Sequence, residues 1–117
     1  MFSGDDVLIA GFFVGGTGPV GTTIVVRALG PSLSALGIAN PLPDPVLELR
    51  DSSGTLLRVN NDWKELQETA ISSAGLAPND DHESAILTTL RGGSYTAIVR
   101  SATSGTGTAV VEVYNLP

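Results

Sequence analysis

Twelve Asp and Glu against six Lys and Arg give this 117-residue chain a formal charge of −6, which repels phosphate backbones and anionic lipid and argues against a nucleic-acid partner. Its length suits one domain, residues 1–117, with a single two-layer core. With no cysteine, disulfides, zinc–thiolate sites and thiol catalysis are excluded, and redox usage leaves the compartment open.

Hydrophobic residues make up 42% of the chain but aromatics only 5%, so the core must be mostly Val, Leu, Ile and Ala, which favours strands. Val7–Val14 is a continuous apolar run, long enough for a strand and too short to span a bilayer, so no membrane insertion is expected. Gly16 to Gly21 then matches G-x-G-x-x-G. The dinucleotide fingerprint needs a helix to follow, but Thr22–Arg27 is a β-branched run, so the stretch reads as a hairpin loop. On the second strand Ile24, Val26 and Ala28 share one face, opposite Val25 and Arg27. Pro31 and Ser32 suit the start of a helical turn and Gly37 its end; Pro41, Pro43 and Pro45 then bar regular structure.

A central hairpin follows. Leu47 and Leu49 alternate with Val46, Glu48 and Arg50, Asp51-Ser52-Ser53-Gly54 turns the chain, and Thr55–Val59 returns. Asp62 is placed to cap a short helix with Glu65 three residues on, and Trp63, Leu66 and Ala70 predict an amphipathic segment from Trp63 to Ser72 lying across one open end of a sandwich. Ala74–Ser84 is a polar connection. Strands over Ala85–Leu90, Ser94–Ser101 and Thr108–Tyr114 close the chain, the last with Ala109, Val111 and Val113 inward. Seven strands and one short helix describe an all-β fold, an antiparallel β-sandwich.

No enzyme is expected. Asp81-His82-Glu83-Ser84 sets acid, base and hydroxyl side by side, but neighbours on an extended chain point to opposite faces and form no triad. His82-Glu83 lacks the spacing and cysteines of a zinc deaminase, and no pair of carboxylates is marked out for glycoside hydrolysis. Asn60, Asn61 and Asp62 read as turn and cap. The other reading is that Asn60 and Asp62, with Asp80, Asp81 or Glu83 from the second polar loop, converge on a calcium ion, which prefers hard oxygen ligands.

Leu47–Asn61, Glu83–Leu87, Gly92–Val99 and Gly107–Tyr114 together resemble the bacterial pre-peptidase C-terminal domain, through a strand, a D-x-x-G turn, a strand ending in an N-D cluster, L-x-x-G-x-Y and a final strand. Gly4–Phe12 with Val26–Leu33 is similar to a module recurring in large exported bacterial proteins. The resemblance implies a jelly-roll-like sandwich, extracellular or cell-surface placement, and a structural or adhesion role beside other domains. Any export signal has then been removed or lies elsewhere. Some members bind calcium through loop carboxylates, which brings Asp51, Asn60, Asp62, Asp80, Asp81 and Glu83 forward as candidate ligands. Two other functions stay open. One is a glycan- or protein-binding module using loops near Trp63; the other is self-association through the edge strands Val7–Val14 or Ala109–Tyr114.

Overall fold

The structure, a computed structural model, describes residues 7–15, 21–103 and 107–116. The strands are β1 (Val7–Val14), β2 (Thr22–Leu29), β3 (Pro45–Asp51), β4 (Leu56–Asn60), β5 (Ser84–Leu90), β6 (Gly93–Ser101) and β7 (Val110–Asn115). They form two antiparallel sheets, ordered β1-β6-β3-β4 and β5-β2-β7, so the chain is an all-β sandwich. Ile24, Val26 and Ala28 face Leu47, Leu49, Ala97 and Val99 across the gap, joined by Ile86 and Leu90 and sealed by Val14 and Leu42. Burying each such aliphatic side chain contributes about 1.5–3 kcal/mol.

The turn at Asp51–Gly54 forms as its residues dictate. Asp51 Oδ1 accepts from the amides of Ser53 and Thr55, each at 3.0 Å, while Gly54 takes a left-handed φ of 85°. Pro31–Leu36 is a short 3-10 helix, and Gly37 ends it at φ 83°.

Several expectations are corrected. β1 and β2 lie in different sheets, so the connection between them joins no hairpin. Residues 16–20 of that glycine-rich stretch fall outside the described residues, but Thr22–Leu29 is a strand where a dinucleotide site requires a helix. The segment after β4 makes turns at Trp63–Leu66, and α1 spans only Glu68–Ser73. Gln67 delays the helix because its side-chain amide is bonded to both backbone groups of Leu87 on β5, at 2.8 and 3.0 Å. This segment also does not close an end of the sandwich. Trp63 and Ile71 pack with Ala85, Ala77 and Leu87 on the outer face of the β5-β2-β7 sheet and make a second small core. Val25, which is on the same face of β2 as Arg27 and away from the main core, is also fully buried.

Ala109, just before β7, and Val111 on it reach the core as expected, but Val113 is 39% exposed because β7 is an edge strand. Among the described residues, no helix is long and apolar enough to cross a membrane.

Candidate functional site

The acidic loops meet at the end of the sandwich where β3 and β5 begin and β4 ends. Ser84 is the knot. Its hydroxyl lies 2.5 Å from the carbonyl of Pro45 and 2.6 Å from that of Asn61, tying the approach to β3 to the exit of β4. Trp63 N donates to the carbonyl of Glu83 at 2.9 Å, which fixes the second polar loop against the first.

Glu83 is wholly buried, and its Oε2 accepts from Gly30 N (2.8 Å), Ser32 N (2.9 Å) and Ser32 Oγ (2.6 Å). These donors open the 3-10 helix, so the carboxylate caps amides that have no partner within it. Asn60 is also spent internally: its Nδ2 donates to Asp62 O and its Oδ1 accepts from Ala85 N, both at 3.0 Å. Asp80 Oδ1 accepts from His82 N at 2.9 Å and stands 3.3 Å from His82 Nδ1, while Asp81 pairs with Lys64 at 3.0 Å on the open surface. That pairing raises the Lys64 pKa.

Asp51 is not brought to this place. It sits at the turn of the β3–β4 hairpin, whereas Asn60 pairs with Leu47 near the hairpin's other end, about 13 Å away at strand rise. Its carboxylate is held below the usual range, first by the Ser53 hydroxyl and then by turn amides.

Reading the residues alone leaves out Asp44. It precedes Pro45 in the proline-rich approach to β3, and its pKa is raised, chiefly by burial and then by the charge of Asp62, with Glu65 adding and His82 opposing. The only trace in the sequence is an acid held between two prolines just before a core strand. Among the described residues, the buried side-chain oxygens with no hydrogen-bond donor are Asp44 Oδ1, Asn61 Oδ1, Asp62 Oδ1 and Glu83 Oε1; Trp63 Nε1 is likewise unpartnered. Each of these residues supplies or adjoins an atom of the Ser84 and Trp63 contacts. Also among the described residues, no three acids or histidines are grouped so as to hold a metal. An ion at Asp44 and Asp62 would therefore draw on the amide oxygen of Asn61 and on water, a mixed oxygen set that calcium accepts.

Trp63 is 6% exposed and presents no face to a ligand, with Lys64 Nζ 5.6 Å from its ring centre. An apolar cleft of about 290 Å³ lies elsewhere, lined by Val7, Leu8, Leu42, Val99 and Gly107–Ala109. No family model, curated protein or solved structure matches the chain. The class defined is that of an antiparallel β-sandwich.

Proposed function

We propose that the chain is a non-catalytic structural module of an exported protein, stabilised by calcium at its loop end. One observation carries the calcium reading: Asp44, Asn61 and Asp62 each bury an oxygen that no donor reaches, at a junction where two of them repel. A buried acceptor without a donor costs about 1–3 kcal/mol, and a divalent cation relieves several such oxygens at once. The structural role is supported by how the other strong polar groups are used. Glu83 clamps a 3-10 helix, Glu48 holds Arg50 and Arg100, and Arg27 donates to Glu112. Surface placement and an accessory role beside other domains are part of the proposal and rest only on the resemblance of the sequence to pre-peptidase C-terminal domains. A glycan-binding reading through Trp63 is less favoured, because that ring is buried.

The test is thermal unfolding in EDTA, in millimolar calcium and in millimolar magnesium. At about 100-fold over Kd, calcium should add about 2.7 kcal/mol, because only the folded state binds it. The shift should be lost in Asp44→Asn and Asp62→Asn and kept in Asp51→Asn. An unfolding midpoint indifferent to calcium would remove the calcium reading.

A further inference from the structure

Residues 61–76 leave the end of β4 and form a strap on the outer face of the β5-β2-β7 sheet. Little of it is buried. Between Lys64 and Leu76 only Ile71 is buried, and Trp63 at the head of the strap is its other apolar anchor. The helix it contains, Glu68–Ser73, spans six residues, too few to hold without packing. A segment with so few buried contacts belongs to the low-stability end of a fold and opens before the strands do.

The strap guards a sheet edge. Gln67 Nε2 donates to the carbonyl of Leu87 at 2.8 Å, and Gln67 Oε1 accepts from its amide at 3.0 Å. Because β5 ends its sheet, these are outward groups of an edge strand, satisfied by a side chain where another strand could pair. Trp63 and Ile71 cover Ala85 and Leu87 of the same strand. The oxygens assigned to calcium lie at the strap's head. Asn61 and Asp62 begin it, and Asp44, on the approach to β3 in the other sheet, feels the charge of Asp62. With no ion, that repulsion and the unpartnered oxygens of Asn61 and Asp62 weigh on the head of the strap.

Building on the calcium reading, we propose that the ion fastens this strap, and that its loss lifts the strap and opens the β5 edge at Leu87. An ion shared by Asp44 and Asp62 ties the strap's first residues to the other sheet. Trp63, the next residue, carries that hold to Ile71 and so to the helix and to Gln67. At the far end, the strap is held without any acid of its own, by Arg27 Nη1 donating to Leu76 O at 3.2 Å. The ion therefore acts on the head, and the strap lifts from there. Lifting separates Asp62 from Asp44, so the open state loses the site. A ligand that binds the closed state alone must suppress opening by the factor with which it favours that state.

Amide hydrogen exchange of the whole chain, in EDTA and in calcium at about 100-fold over Kd, tests the strap and the ion separately. The Leu87 amide reports the strap, because its hydrogen bond is to Gln67. The Val26 amide reports the whole fold, because β2 is paired on both sides. In EDTA, Leu87 should exchange at least about tenfold faster than Val26, through an opening of the strap alone. Calcium should slow Leu87 by about 100-fold. Asp62→Asn should abolish that slowing, and Asp51→Asn should keep it. Calcium that slows Val26 but leaves Leu87 unchanged would retain the ion and overturn its hold on the strap. Equal rates at Leu87 and Val26 in EDTA would also overturn it, since the strap then has no opening of its own. Indifference of both amides to calcium would remove the calcium reading, and the fastening with it.

Discussion

Glu83 and Ser32 are joined twice: one carboxylate oxygen accepts from the Ser32 amide at 2.9 Å and from its hydroxyl at 2.6 Å. The pair links the start of β5 to the 3-10 helix that follows β2, where Leu33 drops into the interior at 2% exposure. Glu83→Ala would leave the Gly30 and Ser32 amides without an acceptor. A loss of about 3 kcal/mol or more is expected, the scale for breaking a buried charged network, against about 1 kcal/mol for Ser32→Ala. Denaturant unfolding of both variants checks the ratio.

Gly30 and Gly37 bracket that helix for different reasons. A Cβ at Gly30 would sit 2.0 Å from Leu42 O, whereas Gly37 has open space but a φ of 83°. Gly30→Ala should cost about 2–3 kcal/mol by overpacking, and Gly37→Ala about 1 kcal/mol by backbone strain. Thermal midpoints of the two variants should fall in that order. Equal midpoints would mean that the approach to β3 can give way.

The outer-face core rests on Ile71, which is fully buried against Trp63 and Ala85. Ile71→Ala should destabilise by about 2–5 kcal/mol. Because Trp63 is the chain's sole tryptophan, its fluorescence reports this core alone, and a red shift of emission in the folded variant is expected. Unchanged emission would separate the tryptophan from the helix.

Asp44 and Asp51 should pull stability in opposite directions as pH changes. The folded-state pKa of Asp44 is raised, so its contribution is full below the unfolded value and is lost as pH rises through the folded one. That of Asp51 is lowered, so its contribution is present above the unfolded value and is lost as pH falls through the folded one. In EDTA at neutral pH, Asp44→Asn should therefore stabilise the protein by removing a repelled charge, while Asp51→Asn should weaken it and flatten the acid limb. Urea midpoints from about pH 3 to about pH 8 would reveal both effects. Destabilisation by Asp44→Asn in EDTA would contradict the repulsion with Asp62.

Much of the fold could be read from short-range pattern. Alternation at Leu47 and Leu49, β-branched residues at Thr22–Val26 and turn chemistry at Asp51–Gly54 act within a few residues, so strands, faces and the turn follow from local sequence. Of the capping pair expected at Asp62 and Glu65 only one half forms: Glu65 Oε1 accepts from Asp62 N at 3.1 Å, but the pair closes a turn and Asp62 caps no helix, because α1 starts at Glu68. The helix that the spacing predicts from Trp63 begins only at Glu68, where long-range bonds between Gln67 and Leu87 oppose the local periodicity.

Sequence by itself determined the class, an antiparallel sandwich of seven strands with an aliphatic core, because strand periodicity and turn residues are properties of neighbours along the chain. Which acids meet was decided only by the tertiary structure. Whether Asp44 faces Asp62, and whether Glu83 turns inward to Gly30 and Ser32, depends on how two sheets bring distant loops to one end. The same holds for β1: its apolar run is plain in the sequence, but its standing as an open edge exists only once β6 has taken one side and nothing in the described fold has taken the other.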